Sequence, residues 1–431
     1  MMRTLAALLY SLLLYPAFFA IMHLFAIGNG KIRRGIRGRY QTLDRARRFA
    51  AGLAVGTELY LVHCSSMGEF EHLKPVLKRL RERRPHSRTV TMFFSPSGYE
   101  NVKSAPGVDL FLYAPFDFAG VVRRLFAILQ PAALLVAKYD LWPNQVWTAA
   151  ELGVPRLLIN ATMNPEAGRL RPWARWFQRT LYSRLNHILA ISERDRDLYA
   201  RLAPGVPLEV VGDTKFDQAV ERREESRAMT VVSAETIGER PVLVAGSTWP
   251  EDERHLIPAV RAVRETGIDF LAIICPHEPT ADHLTELERQ VAGLHAVRYS
   301  RLEGGTRPDV ILIDRIGILA NLYALARIAY VGGSFRQNIH NVLEPAAYGV
   351  PVLFGPVNAN SREAQLLKAT GGAVEVDGTP ALTGEMTRFL RDESLRAAAG
   401  EAARTVVEGH RGATERMVDA VVRQVIQPAV A

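Results

Sequence analysis

Apolar residues fall into two spacings along the chain, and their alternation predicts an α/β architecture. Short apolar runs at residues 58–63, 88–94, 109–113, 132–137, 156–160, 187–191 and 208–211 read as buried strands. Amphipathic helices lie between them, as at residues 69–83, where Leu73, Val76, Leu77 and Leu80 recur at helical spacing. A polar segment at 218–240, rich in Glu, Arg and Ser, interrupts the pattern and reads as an interdomain linker. A second series then begins, with apolar runs at 241–245, 270–275, 310–313, 326–331 and 350–354. Alternation of this kind builds a parallel sheet covered on both faces. It predicts two doubly wound, Rossmann-like domains, at 58–217 and 241–431, with a ligand cleft between them. The last helix, about 413–427, belongs to the second half by chain order, with the option of packing back across the first.

The N-terminus departs from the pattern. From Leu5 to Ile27 there is no Asp, Glu, Lys or Arg, and the only titratable side chains are His23, Tyr10 and Tyr15. Roughly 20 apolar residues at about 1.5 Å each span a hydrocarbon core. The run is followed by KIRRGIRGRY and then Arg45, Arg47 and Arg48, and positive charge on that side argues that it stays cytoplasmic. Residues 1–30 are therefore expected to be a single-pass membrane anchor, and 31–57 a basic juxtamembrane linker. An uncleaved signal and a helix lying in the membrane interface are the other readings.

Composition narrows the partners. The chain has 431 residues, 48% of them hydrophobic and 23% charged, which describes a globular protein too long for one core. Its net charge of +8 favours nucleic acid, an acidic membrane surface or a phosphorylated substrate. Cys64 and Cys275 lie far apart with no second Cys near either, so neither a disulfide framework nor a zinc site is expected. In the helical stretch 169–184, Arg171, Arg175 and Arg179 share a face while Trp176, Phe177 and Tyr182 supply bulk. This suits an anionic bilayer or a phosphorylated lipid, and equally a solvated face over an aromatic core. No nucleic-acid motif accompanies the charge, so no nucleic-acid partner is expected.

Candidate chemistry gathers at the ends of strands, where ligands of doubly wound sheets bind. After the strand ending at His63, small residues make a turn and Glu69 falls at the mouth of the next helix. Such a carboxylate can take a proton from an attacking hydroxyl, or merely complement a helix N-terminus. Asp140 follows the strand at 132–137, and Lys215 follows the last strand of the first half. In the second half, Ser247 and Thr248 occupy a strand-to-helix turn that can hold a phosphate or simply cap the helix. Pro276 and His277 follow the next strand. Residues 330–356 read as a strand end, a turn containing Gly333 and Ser334 that can approach a phosphate, a helix starting near Ile339 that carries Glu344, and another strand. Glu344 can accept two hydroxyl hydrogen bonds from a ribose. There is no H-E-x-x-H, P-loop or G-x-S-x-G, so metalloprotease, NTPase and hydrolase readings lack their parts.

Together these segments resemble, in order and spacing, the bacterial Kdo (3-deoxy-D-manno-octulosonic acid) transferases. The matching residues are Ser66, Gly68 and Glu69; Asp140, Leu141, Trp142 and Pro143; Gly212, Lys215 and Phe216; the Ala-Gly-Ser-Thr run at 245–248; and HNVLEP at 340–345. The resemblance implies a GT-B glycosyltransferase of the cell inner membrane, with its catalytic domains cytoplasmic. It implies transfer of Kdo from CMP-Kdo, with inversion, to a phosphorylated lipid A precursor in lipopolysaccharide synthesis, with no cofactor or metal. By the same resemblance, Glu69 is the catalytic base, and Asp140 and Lys215 support the transition state. Pro276, His277, Ile316, Gly317, Ile318, Asn341, Val342, Leu343 and Glu344 would contact the CMP moiety. Three positions depart from the family pattern. Lys138 stands where many members carry an acid, Asp140 is shorter than the usual Glu, and Pro276-His277-Glu278-Pro279 replaces Pro-Arg-His-Pro. A second nucleotide sugar, such as a UDP-hexosamine, and a catalytically inactive binding protein are the alternatives. The chemistry requires Glu69 and the nucleotide cradle to face one another across a shared gap.

Overall fold

The computed structural model describes residues 2–226 and 230–426. Residues 227–229 of the expected linker and residue 427 at the expected end of the last helix lie outside these. The chain divides into two compact units: Met1–Gln218 with Arg411–Ala431, and Ala219–His410.

In the first unit, the seven apolar runs form seven strands: β1 (Leu59–Cys64), β2 (Arg88–Phe93), β3 (Leu110–Tyr113), β4 (Ala133–Ala137), β5 (Arg156–Ala161), β6 (His187–Ala190) and β7 (Leu208–Val210). They lie parallel in the order β3-β2-β1-β4-β5-β6-β7. Alternate residues feed two cores: Leu59, Leu61, Leu134 and Val136 enter one, and Tyr60, Val62, Ala133 and Leu135 the other. Strand order reverses between β1 and β4, which opens a crevice outside their carboxyl ends. The turns carrying Glu69 and Asp140 begin there.

The second unit repeats the plan with β8 (Val242–Thr248), β9 (Leu271–Pro276), β10 (Ala296–Arg298), β11 (Val310–Leu312), β12 (Ile328–Val331), β13 (Val352–Phe354) and β14 (Ala373–Glu375). Their order is β10-β11-β9-β8-β12-β13-β14, again parallel, with the reversal between β8 and β12. Two successive doubly wound sheets are the GT-B class of fold.

Four expectations change. The helix Ala413–Ile426 packs Met417, Val418, Ala420 and Val421 into a core of the first unit, so the second domain does not run on to 431. Residues 218–226 of the expected linker are the end of a helix, Thr214–Ser226, because its Glu and Arg residues are good helix formers. Residues 31–57 likewise hold two helices, Gly30–Tyr40 and Thr42–Ala50, whose Ile36, Arg39 and Ala46 are buried. The helix expected near Ile339 starts at Leu343 and is five residues long, because Asn341 Oδ1 accepts the Leu343 N–H (3.0 Å) and caps it there.

One helix among the described residues, Leu5–Gly28, is long and apolar enough to cross a membrane. It contains a π-turn at Tyr10–Leu14, just before Pro16. Proline has no N–H to give and its ring crowds the carbonyl four residues earlier, so the widened turn relieves a clash.

Candidate active site

In the first unit, Glu69 lies in the first turn of the helix Met67–Arg83 and is buried. Ser66 caps that helix, accepting the Glu69 N–H at 3.4 Å, and Glu69 Oε2 accepts the Ser65 N–H at 2.6 Å. Glu69 thus does complement a helix terminus, while remaining beside the switch point. Burial raises its pKa above the ordinary carboxylate value; the Ser65 N–H and the Lys138 charge oppose that rise, and Asp140 adds to it. A carboxylate so perturbed beside a switch point is a candidate general base.

Asp140 follows β4 and meets three donors at one oxygen. His63 Nε2 lies 3.1 Å from Oδ2, Trp142 Nε1 donates at 3.1 Å, and the Ser65 hydroxyl donates as well. Burial alone would raise its pKa, but His63, Ser65 and Trp142 overcome it and hold the carboxyl at about 2. Ser65 is the link between the pair, its N–H on Glu69 and its hydroxyl on Asp140. Sequence reasoning did not single out Ser65 or His63; their only signal is their place at the end of β1, whose neighbour β4 leads to Asp140. Lys138 adopts a left-handed backbone (φ 57°), uncommon outside glycine, at the same turn. Lys215 opens the helix Thr214–Ser226 in this unit, with its Nζ 4.0 Å from Asp213 Oδ2. Glu71, the neighbouring acid, pairs with Lys74 at 2.6 Å and accepts from Gln218 at 3.2 Å.

In the second unit, Ser247, Gly317, Asn321, His340, Asn341 and Glu344 are among the residues lining an open cavity of ≈ 490 Å³. Glu344 Oε1 pairs with Arg222 Nη1 at 2.5 Å and accepts from Asn341 Nδ2 at 3.2 Å. His277, Trp249 and His340 stack beside it. The two imidazoles are 4.2 Å apart, and Trp249 Nε1 donates to His340 Nε2 at 3.0 Å. Burial, together with His277, lowers the His340 pKa to about 4, so its imidazole stays neutral and accepts that bond.

Other expected contacts are spent internally. The Thr248 hydroxyl donates to Glu253 at 2.7 Å, and the Gly333 N–H donates to the buried Asp252 at 2.8 Å. The Ser334 hydroxyl donates to the Val331 carbonyl and accepts the Gly355 N–H at 2.7 Å. These groups hold the turn rather than face a phosphate. Gly332 and Gly333 are required sterically, since a Cβ would lie 2.3 Å from Ser247 O and Asn338 O respectively. The side chains of Val342, Leu343 and Ile318 are buried, whereas Ile316 is 82% exposed. Pro276 ends β9 and is buried. Of the expected CMP contacts, then, Gly317, Asn341 and Glu344 converge on the cavity, with His277 joined through His340.

Residues 35–218 match the family described as 3-deoxy-D-manno-octulosonic-acid transferase (kdotransferase). The 3-deoxy-D-manno-octulosonic acid transferase of Bordetella pertussis is 31% identical over 373 residues, covering 84% of this chain and 86% of its own. That of Haemophilus influenzae is 27% identical over 366 residues, 83% and 85% of the two chains. Among solved structures, the UDP-GlcNAc 2-epimerase of Neisseria meningitidis superposes with a TM-score of 0.63 at 14% identity, over 85% of this chain and all (100%) of its own. Acinetobacter baumannii MurG gives 0.53 at 13% identity, over 85% and 99%. These two likenesses establish the fold alone. The near-full-length likeness to the Bordetella enzyme goes further: the chain belongs to the 3-deoxy-D-manno-octulosonic acid (Kdo) transferase family of glycosyltransferases.

Proposed function

We propose that the protein moves Kdo from CMP-Kdo onto a phosphorylated lipid A precursor, with inversion at the anomeric carbon. The observation that carries this reading is the buried Glu69, its pKa raised by burial, joined through Ser65 to an ionised Asp140 at the β1/β4 switch point. Glu69 takes the proton from the acceptor's hydroxyl as that oxygen attacks the anomeric carbon. Positive charge grows on the donor sugar as the bond to CMP breaks, and fixed carboxylate charge offsets it. Lys215 offsets the negative charge of the donor. In the second unit, Asn341 and Glu344 receive the ribose hydroxyls beside Gly317, and His277 meets the phosphate. The reading requires Glu69 and this cavity to be brought to one reacting centre.

The family's acceptor lies in a membrane, and the apolar helix Leu5–Gly28 suits attachment to the cytoplasmic face of the inner membrane. Single-pass insertion was the expectation. One observation favours a helix lying in the interface instead: it touches its own domain along its length, from Tyr10 on Phe177 to His23 on Phe116. Trp173, 72% exposed, and Trp176 on the neighbouring helix Pro172–Tyr182 extend that apolar face. Two of the arginines there are partly occupied, Arg175 and Arg179 donating to the carbonyls of Leu170 and Arg201.

Incubation with CMP-Kdo and a lipid A precursor, followed by mass measurement, tests the reaction, and the anomeric configuration of the product tests inversion. Glu69→Ala retaining near-wild-type transfer would refute its role as base. No divalent metal is needed for CMP to leave, so loss of activity in EDTA would count against this mechanism. CMP should raise the Tm and UDP should not; the reverse would favour a different nucleotide sugar.

A further inference from the structure

The N-terminal helix reaches the candidate catalytic turn. Tyr10 donates its hydroxyl to Asp117 Oδ2 at 2.9 Å, Tyr15 accepts the Asp117 N–H at 2.6 Å, and Ser11 donates to Asn144 Oδ1 at 3.0 Å. Asp117 is fully buried and also accepts the N–H groups of Asn144 (3.0 Å) and Gln145 (3.1 Å), in the first turn of the helix that follows Asp140. Residues five apart on a regular α-helix point about 140° away from each other, so Tyr10 and Tyr15 could not both face one aspartate. The wider π-turn at Tyr10–Leu14 narrows that offset, and the two rings lie 5.6 Å apart. From there the contacts pass to Trp142. Tyr15 and Phe18 lie edge-on and tilted against its indole at 6.1 and 6.0 Å, Phe94 stacks on it at 4.9 Å, and the indole N–H donates to Asp140.

We propose that the N-terminal helix positions Asp140 through Trp142, so that the helix is part of the transfer machinery as well as an anchor. Tyr15 and Trp142 are positioning residues. The proposal rests on the reading in which Asp140 supports the transition state. An anchor alone needs an apolar surface, which the exposed Leu8, Leu12, Leu13 and Leu24 supply. It does not need one tyrosine on the carboxylate of a buried aspartate and a second on that residue's backbone N–H.

The test uses the full chain with saturating CMP-Kdo and lipid A precursor in detergent micelles, where recruitment to a membrane no longer limits the rate. Tyr15→Leu and Trp142→Phe should each lower kcat about tenfold at unchanged KM, the scale of one lost bond to a charged group. The double variant should be no slower than the worse single one, because both act through the same indole. Tyr15→Phe, which keeps the ring, should recover most of the activity. Co-sedimentation of Tyr15→Leu with phosphatidylethanolamine/phosphatidylglycerol vesicles should stay within twofold of wild type. Unchanged kcat in micelles, or losses that multiply in the double variant, would overturn the proposal. If Tyr15→Leu does not fold, Trp142→Phe decides alone: a kcat equal to wild type overturns it. Asp140→Asn in the same assay separates the two ideas. Full activity there removes the underlying reading, whereas a slow Asp140→Asn beside a normal Trp142→Phe removes only this proposal.

Discussion

Glu69 is set by neighbours that push in opposite directions, and this makes its role open to titration. Burial and the Asp140 charge raise its pKa, whereas the Ser65 N–H and Lys138 lower it. A base must be ionised to act, so activity falls as pH drops through that pKa. Lys138→Met removes a lowering charge and should move the acid limb of kcat/KM to higher pH. Asp140→Asn removes a raising charge and should move it to lower pH, with kcat down about 10²–10³-fold for the lost stabilisation. A pH–rate series on the two variants checks both signs. Glu69 and Asp140 were legible as candidates because each follows an apolar strand at the carboxyl end of the sheet, although position alone left a helix-terminus or turn role equally open and only the family resemblance gave them their roles. Ser65 and His63 were not, since a serine in a turn and a histidine in a strand gain meaning only from the partner across the switch point.

At the level of elements, two buried aspartates fasten helices to turns. Asp252 accepts the Trp249 N–H (2.9 Å), the Gly333 N–H (2.8 Å) and the Tyr330 hydroxyl (2.8 Å), so one side chain caps the helix Pro250–Glu265 and shapes the Gly332-Gly333-Ser334 turn. Asp252→Ala leaves buried donors unpaired and should destabilise the second unit by about 3 kcal/mol, read by urea unfolding. Asp117 does the same for the N-terminal helix, and burial pushes its pKa up to about 7. Because the folded value lies above the unfolded one, its contribution to stability is complete below about 4 and is lost as pH rises through about 7. The Tm difference between wild type and Asp117→Asn should therefore shrink from pH 5 to pH 8. Among elements, the long strands were predictable from continuous apolar runs. The edge strands β10 and β14, three residues each and only partly buried, carry no such run. The short helix at Leu343 starts later than periodicity predicts because its start depends on the Asn341 cap.

For the whole molecule, the chain's last helix completes the first unit. Asp217 accepts the N–H groups of Gly412 and Thr414 at 2.7 Å each, and Arg416 donates to the Val211 carbonyl at 2.8 Å. Deleting residues 413–431 uncovers the side of the first sheet that Met417, Val418 and Val421 bury, each worth about 1.5–3 kcal/mol. The truncated protein should lose the first unit's cooperative unfolding, read by calorimetry, even though the deletion lies a little over 200 residues beyond that unit's last strand. The sequence by itself determined the class of fold, the strands of the first sheet, the apolar N-terminal helix and the strand ends that are followed by Glu69 and Asp140. Those features follow from local periodicity and from where a strand ends, which neighbouring residues dictate. Only the tertiary structure decided that Ser65 joins the two carboxylates, that Tyr10 and Tyr15 meet on Asp117, and that the final helix returns to the first sheet. Each is a pairing of residues distant in the chain, selected by which buried polar groups and apolar faces remain to be satisfied once the sheets have formed.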